Sequence, residues 1–177
     1  MQATLPRSKH LGFVQAMVEQ KGSRRADNSG CFKRVWKVHG RKRAYALKKG
    51  CMDEGTFSQR SWGNGTEDLR RELLVWHTAH YPRALLVPYI AWGVVRGRFY
   101  AIQPWGGELE TDSDGEVDGI NGYDKLDFTI NDMHSGNACM YKGQARAIDY
   151  GYHNGMRLTV TYAAPNTMKL KVKGHYE

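Results

Sequence analysis

The sequence predicts an α+β fold, and three observations carry that reading. Short runs of alternating or β-branched and aromatic residues recur in pairs around turn signals, as hairpins do. Two other stretches place apolar residues at helical spacing. No internal repeat and no clean linker interrupts the mixture.

Residues 10–20 carry Leu11, Val14 and Val18, the stripe of a short amphipathic helix. The turn-rich stretch GSRRADNSG follows. Phe32, Val35, Trp36 and Val38 then predict a strand over 31–38, and HGRK turns the chain into a second strand over 43–48. Residues 50–66 hold four Gly and little periodicity, which predicts a loop. Thr66-Glu67-Asp68 reads as a helix start, a cap residue with acids in the first turn. Leu69, Leu73, Trp76 and His80 share one face of a helix over 67–80, ended by Pro82. Strands over 87–95 and 98–104 turn at Arg96-Gly97. Residues 105–127 are acidic and Gly-rich and suit neither helix nor strand. A short hairpin, 138–141 with 145–148, turns at Lys142-Gly143, and weak alternation over 158–162 and 168–172 predicts strands in the tail.

At 177 residues and 20.1 kDa, the chain has room for one domain or a two-lobed unit with a real core. Hydrophobic residues make up 41%, aromatic 11% and charged 25%, which sets disordered and fibrous classes aside. No run of 18 apolar residues occurs, and MQATLPRSKHLGFVQAMVEQ lacks the apolar core of a signal peptide. Cys31, Cys51 and Cys139 are odd in number and far apart, which fits a reducing cytoplasm, and no membrane partner is expected. Residues 1–100 carry 19 Lys+Arg and 7 Asp+Glu, a net +12, and residues 101–177 carry 7 and 11, a net −4. A basic half attracts a phosphate backbone, a nucleotide or an acidic partner, or is simply a solvated face.

The most informative segment is Asn131-Asp132-Met133-His134-Ser135-Gly136-Asn137, followed by the hairpin and Ile148-Asp149-Tyr150-Gly151. An Asp and an Asn five apart, with a second Asp past a hairpin, is the order used in kinase-type phosphoryl transfer. There the first Asp takes the acceptor hydroxyl's proton, and the Asn and second Asp hold Mg²⁺ on ATP phosphates. Asp149 and Asn154 repeat the spacing by chance, so the upstream order decides. Gly30 and Phe32 to Val35 lie on an opening strand–turn where backbone N–H groups approach phosphate. Lys48 ends the first hairpin in reach of α- and β-phosphates, and Glu72 on the following helix is placed to pair with it. Singly, each has a plainer reading as a turn glycine, an edge-strand lysine or a solvated glutamate. Their order is what shifts the weight.

On these residues the chain resembles the protein-kinase-like superfamily, in particular the early serine/threonine kinases of lytic short-tailed coliphages. The residues DMHSGN are similar to their catalytic loop and to the D-x-H-x-G-N loop of aminoglycoside and choline kinases. Gly30-Cys31-Phe32 to Val35 resembles the second half of the Gly-rich loop, Ala46-Leu47-Lys48 the strand lysine motif, and Arg71-Glu72-Leu73 the helix-C region. Ile102 to Leu109, with Gln103, resembles a hinge, and Asp149-Tyr150-Gly151 stands where Asp-Phe-Gly would. The resemblance covers roughly residues 25–155. It implies an N-lobe over 1–104 and a strongly reduced C-lobe over 105–177 within one compact unit. It further implies ATP and Mg²⁺ as cofactors, Asp132 and Lys48 as catalytic groups, Gly30, Phe32, Val35, Lys48, Glu72 and Gln103 around the nucleotide, and Asn137 and Asp149 on the metal. The acceptor is then a host protein, and the setting a phage-infected bacterial cytoplasm.

Several positions depart from that pattern. Asn28 and Lys33 replace glycines, which stiffens the loop over phosphate. Ile130 replaces the His two before Asp132, and His134 stands where protein kinases carry Lys, as in small-molecule kinases. The stretch from Gly106 to Ile130 is too short and acidic for the usual pair of helices, and a missing helical lobe leaves apolar surface that makes a homodimer an expectation. Two further readings follow: a kinase-derived binding protein that docks its basic half on a host enzyme or nucleic acid, and a small-molecule kinase whose acidic 108–118 loop collects a cationic substrate. The run Phe32-Lys33-Arg34-Val35-Trp36-Lys37 has no cleanly basic face, so nucleic acid ranks below the kinase reading. Asp112, Asp114, Glu116 and Asp118 lack the spacing of a Ca²⁺ loop, and His77 and His80 lack a third metal ligand.

Overall fold

The computed structural model describes residues 2–5, 8–29, 33–50, 65–77, 86–108, 129–130, 135–150, 153–154, 156–164 and 167–174. In chain order these form β1 (Gln2–Leu5), α1 (Leu11–Lys21), β2 (Asn28–Ser29), β3 (Lys33–His39), β4 (Ala44–Gly50), α2 (Gly65–His77), β5 (Ala91–Val95) and β6 (Arg98–Pro104). There follow β7 (Thr129–Ile130), a 3₁₀ turn at Ser135–Asn137, β8 (Ala138–Tyr141), β9 (Gln144–Ala147), β10 (His153–Asn154), β11 (Met156–Ala164) and β12 (Thr167–Gly174). The fold is thus mixed α+β. No described helix is long and apolar enough to cross a membrane.

The chain divides into two units. The sheet unit comprises Pro6–Leu73 and Pro88–Trp105, and the hairpin unit comprises Met1–Leu5, Leu74–Val87 and Gly106–Glu177. In the sheet unit, five antiparallel strands lie in the order β2-β3-β4-β6-β5. Cross-strand partners share a face, so the register sorts every side chain. Trp36, Leu47, Ile102 and Ala91 form one row, and Val35, Lys48, Ala101 and Trp92 form the next, on the opposite face. The first face is apolar. Val14, Met17 and Val18 of α1 bury against Trp36, Val38, Leu47, Ala91, Val95, Tyr100 and Ile102. Each large aliphatic side chain so buried contributes about 1.5–3 kcal/mol. The C-terminus of α1 is closed by Gly22 at φ 53°, whose N–H reaches the carbonyls of Val18 and Glu19, so this position favours glycine.

The hairpin unit is built on close backbone pairing. β8 and β9 pair from Ala138↔Ala147 to Tyr141↔Gln144, and Lys142 (φ 53°) and Gly143 (φ 75°) make the left-handed two-residue turn that suits the strand twist. Val87 N–H donates to the Ala147 carbonyl at 2.9 Å, and the Tyr150 hydroxyl donates to the Val87 carbonyl at 2.9 Å. Gly107 and Met140 exchange both backbone hydrogen bonds, at 2.9 and 3.1 Å. A second sheet runs β1-β12-β11, with Gln2 opposite Lys171 and a register shift between Tyr162 and Ala164.

Several expectations need correction. The second helix begins at Gly65, so Thr66 lies inside its first turn and does not cap it. The cause is local packing: a Cβ at Gly50 would lie 2.3 Å from the Thr66 nitrogen, so the helix backbone starts directly against the end of β4. The far end of the expected helix, 78–80, and Pro82 lie outside the described residues, as do 51–64 and 109–128. The strand expected over 87–95 is ladder only from Ala91, because Val87 is tied to Ala147 instead. Asn28–Ser29 joins the sheet, in place of the expected turn. β1 is an addition to the expected elements.

Candidate functional site

The sheet face away from α1 carries Lys33, Val35, Ala46, Lys48, Ala101 and Gln103. Val35 faces Lys48 across the ladder, Lys48 faces Ala101, and Ala46 faces Gln103. Three residues expected around a nucleotide, Val35, Lys48 and Gln103, therefore share one face, set there by strand period and register. α2 lies over the same face. The Arg70 guanidinium stands 5.0 Å from the Phe99 ring, and Glu72 reaches the lysines. Gly50 permits this approach, since any side chain there meets the first turn of α2.

Glu72 is fully buried, and Lys48 and Lys33 are 4% and 6% exposed. The Lys48 ammonium donates to Glu72 Oε2 at 3.1 Å and lies 3.3 Å from the Tyr89 hydroxyl. Tyr89 donates to that same Oε2, and Lys33 takes Oε1. Lys33 also pairs with Asp68 Oδ2 at 2.7 Å, one helical turn from Glu72. Two ammonium groups and two carboxylates thus form a neutral group with the phenol as a further donor. Burying charges costs several kcal/mol per ion, repaid only by close, well-oriented partners. Such a group adds little stability over apolar packing of the same shape.

In the hairpin unit, Asn137 and Asp149 flank the open end of the β8–β9 hairpin. The N–H groups of Ile148 and Asp149 both donate to the Asn137 carbonyl, at 2.9 and 3.3 Å. An amide and a carboxylate are held on adjacent strand ends, a hard-oxygen donor set suited to Mg²⁺. Ile130 pairs with His153, so the backbone just before Asp132 runs beside the backbone just after Asp149. Asp132, Gly30 and Phe32 lie outside the described residues.

Sequence reasoning finds Lys48 and Glu72 but misses three residues of the group around them. In the sequence Lys33 stands as a loop-stiffening replacement for glycine, yet it points inward to Glu72. Asp68 stands there only as a first-turn acid, though its spacing of four from Glu72 is a usable signal. Tyr89 carries none, because it meets Glu72 through tertiary packing alone. No protein-family model matches this chain, and no curated protein matches it.

Proposed function

We propose that this chain is an ATP- and Mg²⁺-dependent phosphotransferase of the protein-kinase-like kind, acting on Ser/Thr hydroxyls of a host protein in a bacterial cytoplasm. The observation that carries this reading is the buried Lys48–Glu72 pair on a sheet face that also presents Val35 and Gln103. Glu72 fixes the direction of the Lys48 ammonium, which is then ready to bind phosphate oxygens without reorganising. Val35 and Ala46 offer an apolar surface for a purine. Asp132 accepts the proton from the acceptor hydroxyl as its oxygen bonds to the γ-phosphorus and the bond to the ADP oxygen breaks. Asn137 and Asp149 supply oxygens for Mg²⁺, which neutralises phosphate charge when bound.

Thermal unfolding with and without Mg-ATP, followed by transfer of γ-phosphate to a mixed protein substrate, tests the reading. Saturation at about 100 Kd adds roughly 2.7 kcal/mol, about 5–10 °C for a chain of this length. The shift should need Mg²⁺ and vanish in Asp149→Ala. Transfer at the wild-type rate by Asp132→Asn would overturn the assigned base.

One observation favours a second reading, a kinase-derived binding protein. Lys33 stands at a phosphate-loop position and takes the second oxygen of Glu72. An absent Mg-ATP shift at millimolar nucleotide would select this reading.

A further inference from the structure

The sheet unit has a concave surface on the α1 side of the sheet. A cleft of about 710 Å³ opens between α1 and the turn joining β3 to β4. One wall is Phe13 and Met17 of α1 with Tyr45 of β4, and the other is Arg41, Lys42 and Arg43 of the turn. No carboxylate lines it among the described residues.

The walls are held in place. The Gln20 side chain clamps both backbone groups of His39, at 2.9 and 2.7 Å, and Gly40 N–H donates to the Arg43 carbonyl at 2.9 Å. The Tyr45 ring packs over Gly40, where a Cβ would come within 2.5 Å of it. Phe13 meets Tyr45 edge to face at 5.2 Å, and the Arg43 guanidinium lies 5.3 Å from the Tyr45 ring. Arg41 and Lys42 are exposed, and neither has an ion-pair partner among the described residues.

We propose that this cleft binds single-stranded nucleic acid, with a base against the Phe13–Tyr45 wall and successive phosphates on Arg41, Lys42 and Arg43. The two walls match the two chemistries of one nucleotide, a flat apolar ring and an anion. The cleft volume lies within the size range of small-ligand sites. A duplex hides its base faces in the stack and would use only the basic wall. An acidic peptide would satisfy the cations and leave the aromatic wall bare. The sheet unit carries 18 Lys+Arg and 7 Asp+Glu, a net +11, which draws a polyanion to it. This site stands independently of the phosphotransferase reading.

Fluorescence anisotropy of a labelled oligothymidylate, titrated across salt, tests it. Three neutralised phosphates on a single strand give a slope of log K against log salt of about −2, or roughly a 20-fold loss from about 50 to 200 mM. R41Q/K42Q should flatten that slope to about −0.7 and leave the melting temperature and any Mg-ATP shift unchanged. F13A should weaken binding roughly tenfold through lost stacking. Because Phe13 also packs on the core, the turn variant is the decisive one. An affinity and slope unchanged in R41Q/K42Q would overturn the proposal. Competition by polyglutamate or by duplex as strong as that by the unlabelled oligomer would overturn it too, in favour of an acidic peptide or a backbone-only contact.

Discussion

The two faces of the five-stranded sheet are built from the same strands and obey opposite rules. Towards α1, Leu47 and Ile102 meet Val14 and Trp36 in an apolar layer. One residue further along the same strands, Lys48 and Lys33 are buried almost as completely, against Glu72 and Asp68. The apolar face gains free energy with every methylene it hides, whereas the charged face holds its groups at a cost offset by mutual pairing. Apolar packing and buried ion pairing thus occupy opposite sides of one sheet, and strand alternation keeps them apart.

The sharpest way to break that contrast is to remove one charge. Glu72→Ala removes the carboxylate that both buried lysines share and should cost about 3–5 kcal/mol by chemical denaturation. Replacing the whole group together (Lys33→Met, Lys48→Met, Asp68→Asn, Glu72→Leu) should cost less than Glu72→Ala alone while abolishing the Mg-ATP shift. A larger loss in the fourfold variant would mean the ionic group is structural after all. On the apolar face, Leu47→Ala should lose about 2–5 kcal/mol through its cavity yet keep the nucleotide response of the folded fraction. The smallest effect concerns Lys21, at the edge of the apolar face, 4.6 Å from the Trp36 ring. Burial lowers its pKa below the usual lysine value, and the charges of Arg98 and then Arg96 lower it further. A lysine with a lowered folded pKa gives up its proton more readily when folded, so stability rises as pH climbs from that pKa towards about 10.5. Lys21→Met should flatten this alkaline rise in a pH series of denaturation midpoints.

Local chemistry explains which parts of the molecule are legible in its sequence. The turns at Arg96-Gly97 and Lys142-Gly143 are readable because a glycine at positive φ closes each, and the hairpins around them follow. Lys48 and Glu72 are readable from their order along the chain. The inward direction of Lys33 is not, because alternation assigns a face without saying what covers it. Thr66 mimics a cap because its neighbour across space, Gly50, leaves no trace in the local pattern. β1 is invisible for a similar reason: QATL alternates over only four residues, and its partner β12 lies more than 160 residues away in sequence.

That last pairing bears on how the molecule is made. Gln2 to Leu5 leave the ribosome more than 160 residues ahead of Met168 to Lys171, the residues they zip against. At typical elongation rates the N-terminal segment waits on the order of ten seconds before its ladder can exist. The β8–β9 hairpin, by contrast, closes in about 1–10 μs once its turn is free. Asn137 and Asp149 can therefore come together before β12 has emerged, whereas the β1-β12-β11 sheet cannot close until it has.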